Sequence, residues 1–115
     1  MIAVIFEVSP KADRYDEYLS IAEELRPLLE QIEGFISVER FQSLNNPDRI
    51  LSLSFFENED AIRQWRTLSE HRTVQQAGRS EIFSNYRLRV ATVIRDYGLE
   101  ERDNAPDDSR AALKN

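Results

Sequence analysis

The sequence predicts an α+β fold of the ferredoxin-like type: an antiparallel sheet with helices on one face, in the order β-α-β-β-α-(α)-β. Three observations predict it. The chain opens on an apolar, β-branched run, Ile2 to Ser9, that stops at Pro10. Two later stretches, 13–32 and 58–83, carry apolar residues at three- and four-residue spacing. Between them, Asn45-Asn46-Pro47-Asp48 is dense turn chemistry flanked by apolar runs, which marks a hairpin.

Each element follows in order. Ile2 to Ser9 is the first strand. Asp13 is placed to cap a helix reaching about Ile32, with Tyr15, Tyr18, Leu19, Ala22, Leu25, Leu29 and Ile32 on its apolar face. Pro27 falls inside that pattern and is expected to kink or split the helix, because it lacks an N–H and clashes with the preceding turn. Gly34, just past the end, suits a left-handed C-terminal cap. Strands are expected over Phe35–Leu44 and Arg49–Glu57. Asn58 can cap the next helix, with Glu59 and Asp60 favourable against its dipole. A further helical segment is expected from Ser69 to about Phe83, and a last strand from Tyr86 to Tyr97. From Leu99 the apolar content falls, so residues 1–98 are expected to form the domain and 99–115 a mobile polar tail.

Composition narrows the function classes. A chain of 115 residues buries one modest core. Its 21 acids against 15 bases give a net charge of −6, which argues against a nucleic-acid surface, since tracking phosphates needs clustered Lys and Arg. With no Cys there is no disulfide, thiolate nucleophile or sulfur metal site, and a single His rules out a His-rich metal cluster. Gly34, Gly78 and Gly98 fall in no dinucleotide-binding pattern, so no cofactor site is evident. No run approaches the roughly 18 apolar residues that span a bilayer, and the N-terminus lacks a basic leader region. The expectation is a cytoplasmic protein with no membrane or nucleic-acid partner.

A sheet covered by helices on one face shows polar residues at every second position when its other face meets water. Here Ile2, Val4, Phe6 and Val8 alternate with Ala3 and Ile5, and Leu51, Leu53 and Phe55 alternate with Ile50 and Phe56. Packing two such sheets together hides both bare faces, which predicts a homodimer with a barrel-like core. The alternative is an apolar patch on a monomer.

With this order of elements in place, the chain resembles the antibiotic biosynthesis monooxygenase family of dimeric α+β barrels. The resemblance covers about residues 1–98. It rests on I-A-V-I-F-E-V at residues 2–8, G-F-I-S-V-E-R-F at 34–41, and L-S-L-S-F-F-E at 51–57 leading into A-I-R-Q-W-R at 61–66. H-R-T-V-Q-Q-A-G-R at 71–79 and R-V-A-T-V-I-R-D-Y-G at 89–98 complete it. The resemblance implies one pocket per subunit between helices and sheet. Its activities range from cofactor-independent quinol and polyketide oxygenation to haem degradation, and some members have no known activity. In the cofactor-free chemistry a deprotonated phenol passes an electron to O2 and recombines with the superoxide. The protein supplies an apolar slot, donors for the oxyanion and exclusion of water.

Several residues are candidates for that work. Trp65 is either a pocket wall with one N–H donor or a core residue beside Ala61, Ile62 and Leu68. His71 is a general base, a proton shuttle or an axial haem ligand, or else a hydrogen-bonded structural residue. On a continuous helix the two stand roughly 120° apart, so they converge only if the helix breaks near Leu68-Ser69. His71 shares a face with Val74, Gly78 and Ile82. Haem-degrading relatives pair a helical His with a Trp and an N-terminal Asn; here no Asn precedes Asn45, which counts against haem. Arg87, Arg89 and Arg95 alternate along the expected last strand, as an anion or propionate site or as partners of Glu39, Glu57 or the partner subunit. Glu7 either accepts a substrate proton, or is simply exposed at the strand end or salt-bridged. Tyr86, at the entry to the last strand, is the tyrosine best placed to reach a pocket. The leading expectation is a homodimeric, cofactor-free oxygenase of a planar hydroxylated aromatic or quinol. Haem binding through His71 and a non-catalytic small-ligand dimer are the alternatives.

Overall fold

The computed structural model describes residues 1–76 and 82–112. Its elements run β1 (Ile2–Pro10), α1 (Tyr15–Leu29), β2 (Phe35–Gln42), β3 (Ile50–Phe56), α2 (Glu59–Gln76), β4 (Phe83–Thr92) and α3 (Asp107–Ala112). The four strands form one antiparallel sheet in the order β2-β3-β1-β4. This is the ferredoxin-like α+β arrangement that the sequence predicts.

The two-residue period of β1 decides which side chains meet the helices. Val4 and Val8 are fully buried on the helix side, and Phe6 lies between them. Ala3, Ile5 and Glu7 point to the opposite, open face. The pairing carries this parity across the sheet, because Phe6 stands opposite Ser52 on β3 and Leu88 on β4. Two apolar clusters then fill the space under the helices. One gathers Val8, Tyr18, Ile21, Leu25, Ile50 and Ile82. The other gathers Val4, Phe56, Ala61 and Ile62, with Trp65 packed against it.

Several local expectations are refined. Asp13 does not cap α1; it lies in a 3-10 turn, Ala12–Arg14, that precedes the helix. The turn closes because Lys11 N–H donates to the Ile82 carbonyl at 2.7 Å while its own carbonyl accepts from Arg14 at 2.8 Å. Pro27 does not split α1. It sits two residues from the end, so its missing N–H costs one hydrogen bond, and Leu25 and Leu29 on either side are buried. Gly34 adopts φ +93°, the left-handed value expected of it. Asn58 caps α2, its Oδ1 accepting from Ala61 N–H at 2.9 Å.

Two element boundaries differ more. The helix continues unbroken through Leu68 and Ser69 to Gln76, in place of the two expected segments. The last strand is β4 at Phe83–Thr92, earlier than Tyr86–Tyr97, because its ends are set by its partner: Phe83 pairs with Pro10 and Thr92 with Ile2. Residues 93–97 are as β-prone as those in the strand but have no β1 left to pair with, apart from the Val93 N–H bond to the Met1 carbonyl. Beyond Tyr97, Arg102 ties a short segment together. Its guanidinium lies 5.1 Å from the Tyr97 ring centroid and donates to the carbonyls of Gly98 and Ser109, both at 2.9 Å. Ala105 is buried within this segment.

Candidate functional site

A cavity of about 140 Å³ opens between the helices and the sheet. Its floor is one cross-strand row: Arg40 on β2, Ser52 on β3, Phe6 on β1 and Leu88 on β4. The cavity exists because of what the sequence puts in that row. Serine is too small to fill the space beneath α1, while Phe6 on one side and Arg40 on the other hold the layers apart. Tyr18, Ile21, Ala22 and Leu25 of α1 form the roof, and Trp65 and the exposed Arg66 of α2 border one side.

The end of the cavity near β4 is aromatic. Phe6 lies 6.0 Å from Phe83 and 5.7 Å from Tyr86, Phe83 lies 5.9 Å from Tyr86, and Tyr18 lies 5.8 Å from Phe83, all measured between ring centroids. These tilted and edge-to-face contacts lock the rings against one another. The β2 end carries charge. The Arg40 guanidinium lies close enough to the Tyr18 hydroxyl for its charge to act on the phenol, and Arg40 Nε is enclosed with no acceptor. Burial raises the Tyr18 pKa above its ordinary value of 10.0; the neighbouring Arg40 guanidinium pulls it back only in part. Tyr18 therefore stays a neutral phenol at physiological pH, with an O–H able to donate.

The residues singled out in the sequence are distributed as follows. Trp65 lines the cavity and at the same time packs on Phe56 at 6.4 Å, so its pocket and core readings coexist. Tyr86 lines the cavity with its ring partly exposed. Glu7 lies on the open face of the sheet, away from the cavity, and pairs with Arg89 at 3.3 Å. Arg95 follows the end of β4 and is exposed, so it shares no strand face with Arg87 and Arg89. The backbone of α2 includes position 71, but the His71 side chain lies outside the described residues, as does Gly78. With α2 unbroken, positions 65 and 71 remain roughly 120° apart around the helix axis. Among the described residues no group of His, Asp and Glu is placed to hold a metal ion. Nor is any described helix long and apolar enough to cross a membrane.

Arg40 and Tyr18 are the functional candidates that sequence reasoning passed over. Tyr18 reads as an ordinary core position. Arg40 did leave a signal: it shares strand parity with buried Val38, so a charged residue falls on an inward position of β2.

Comparisons with known proteins bear on what this cavity does. A family model described as antibiotic biosynthesis monooxygenase matches residues 1–77. The jasmonate monooxygenase ABM of Pyricularia oryzae is 46% identical over 93 residues, 81% of this chain but 43% of its own length. The chain thus spans less than half of that relative. The protein YqjZ of Bacillus subtilis is 33% identical over 102 residues, 89% of this chain and 87% of its own. The solved structure of Rv0793 from Mycobacterium tuberculosis superposes with a TM-score of 0.72 at 13% identity, covering 84% of this chain and 98% of that one, a likeness of fold alone.

Proposed function

This chain belongs to the antibiotic biosynthesis monooxygenase family, and from that premise we propose that it is a cofactor-independent monooxygenase. Its substrate is a planar hydroxylated aromatic or quinol bound in the cavity between the helices and the sheet. The observation that carries the reading is the aromatic lining of that cavity, with Trp65 on the α2 side and Phe6, Phe83 and Tyr86 toward β4. The names of the family and of the Pyricularia relative add support for oxygenation of a small organic molecule.

In this reading the flat rings hold an electron-rich ring, and the bound substrate displaces water from the apolar wall. Among the lining donors, the Trp65 N–H and the Tyr86 hydroxyl are assigned to the developing oxyanion. His71 is kept as the proton acceptor on sequence grounds alone, although the unbroken α2 leaves it roughly 120° around the helix from Trp65. The deprotonated ring gives one electron to O2, and the resulting radical pair joins to form a C–O bond. Loss of water then leaves a new carbonyl. A dihydroxynaphthalene plus O2 becomes a hydroxynaphthoquinone plus water, so the substrate supplies every electron and no external reductant enters. The haem alternative rests on His71, and no described feature favours it.

The reading also makes the protein a homodimer closed through the open face of the sheet, where Ile5, Leu51, Leu53 and Phe55 present apolar side chains between Glu7 and Glu39.

Oxygen uptake with a dihydroxynaphthalene, using isotopically labelled O2, tests the activity. One labelled atom is expected in the quinone, and the Trp65→Phe, His71→Ala double variant is expected to lose on the order of 10²-fold in kcat/KM. A double variant as active as the parent removes these residues from the mechanism. Quinone formed without label makes the protein an oxidase or a bystander instead.

A further inference from the structure

The cavity is apolar and aromatic over most of its wall, yet it holds a guanidinium. Among the described lining residues the formally charged groups are Arg40 and Arg66, both cationic, in a chain whose net charge is −6. Such a local reversal of sign focuses a positive potential into a low-dielectric space. Arg66 is exposed and screened, whereas Arg40 reaches under α1.

Arg40 is also incompletely satisfied. A guanidinium offers five N–H donors in a planar fork and stays charged at every accessible pH. Among the described residues no carboxylate pairs with Arg40, and the polar group that feels its charge is the uncharged Tyr18 hydroxyl. Its Nε is enclosed with no acceptor. A partly buried cation without a counter-charge is costly, and a fold retains one most readily where an anion arrives from outside.

We propose that Arg40 and the Tyr18 hydroxyl form an anion-holding end of the cavity, and that the ligand there is an organic carboxylate whose apolar ring lies over Ser52 and Phe6. The guanidinium fork meets the two carboxylate oxygens, and the Tyr18 O–H donates to one of them. The register sets the scale. Arg40, Ser52 and Phe6 occupy adjacent strands, so the anion end and the aromatic end are about two strand spacings, roughly 10 Å, apart. That span fits a ring joined to its carboxylate by a short chain, and it keeps the anchor away from the reacting carbon. This proposal rests on the reading that the cavity is the substrate site and adds the substrate's acidic group to it.

The test compares acids with their uncharged amides, which have the same shape. Cyclohexylacetate, phenylacetate and 2-naphthylacetate, each with its amide, are titrated into the full chain by calorimetry, with the fluorescence of Trp65 as a second readout. At least one acid is expected to bind roughly ten- to a hundredfold more tightly than its amide. Arg40→Gln is expected to remove that preference while leaving amide affinity within about twofold, so amide binding doubles as the check on folding. Arg40→Lys keeps the charge without the fork and is expected to retain a reduced preference. Should Arg40→Gln fail to fold, Arg40→Lys decides: a preference equal to the parent's overturns the fork. Equal affinity for acid and amide in the parent overturns the clamp and leaves the oxygenase reading standing, as does an Arg40→Gln variant that keeps the preference. Failure of every acid and amide to bind overturns the clamp, while the oxygenase reading is decided separately by the dihydroxynaphthalene assay.

Discussion

Gly34 carries φ +93°, and a Cβ at this position would stand 3.2 Å from the Cβ of Ala61. Its carbonyl also accepts from Glu57 N–H at 2.7 Å, so the turn cannot shift without breaking the start of α2. Gly34→Ala is therefore expected to lower stability by about 1–2 kcal/mol in urea denaturation. Tyr18 makes a different statement at the same scale. Its folded pKa is raised by burial, so its contribution to stability is fully present below the unfolded value near 10 and is lost as pH rises toward the folded one. The unfolded chain releases that proton first, and alkaline pH favours unfolding. Tyr18→Phe is expected to flatten the fall in stability above pH 10.0, and a slope equal to the parent's would show that Tyr18 is not the group responsible. The Glu7–Arg89 pair carries no comparable weight, because both side chains are more than a third exposed and water screens them.

Among the elements, β3 and α2 are joined through Phe56. It has no exposed surface, lies 5.8 Å from the Phe35 ring and supports Trp65. Phe56→Ala removes the side chain that holds α2 on the sheet and leaves a cavity behind. About 3–5 kcal/mol of stability is expected to go with it. Because the chain has a single Trp, a red-shifted fluorescence of the folded variant would report the loosened wall directly. The β2–β3 hairpin was readable in advance, since Ser43, Asn46 and Asp48 satisfy the turn locally. Asn46 N–H donates to Ser43 Oγ at 3.1 Å, and Asp48 N–H donates to Asn46 Oδ1 at 3.3 Å. The limits of β4 were not readable, because Val93 and Ile94 continue the strand-forming composition and only the length of β1 ends the ladder.

At the scale of the molecule, the shortest dimension is 20 Å, the thickness of one sheet and one helix layer. Nothing within the described chain therefore adds a third layer over the open face, where Ile5, Leu51, Leu53 and Phe55 lie side by side. The proposed homodimer supplies that cover. Leu53→Lys places a charge at the centre of this face, opposite Glu39, without touching the helix side. It is expected to halve the sedimenting mass toward 13.5 kDa while retaining the circular dichroism of the parent. A parent that already sediments as a monomer would remove the dimer from the reading.

The sequence by itself determined the order of elements as far as the last strand, the turn at 45–48, the left-handed Gly34 and the Asn58 cap. All of these depend on neighbours a few residues away, where backbone sterics and local hydrogen bonds act. It also placed Trp65 and Tyr86 among the residues to watch. Tertiary structure alone decided that Arg40, Ser52, Phe6 and Leu88 form one row and that Tyr18 comes down onto Arg40 from the opposing helix. Those residues lie on four strands and a helix, and no periodicity within one segment encodes their register with the others. The same long-range pairing turned Glu7 to the far side of the sheet and left Arg95 beyond its end. The cavity's chemistry thus follows from which strands become neighbours, a choice made by the whole core at once.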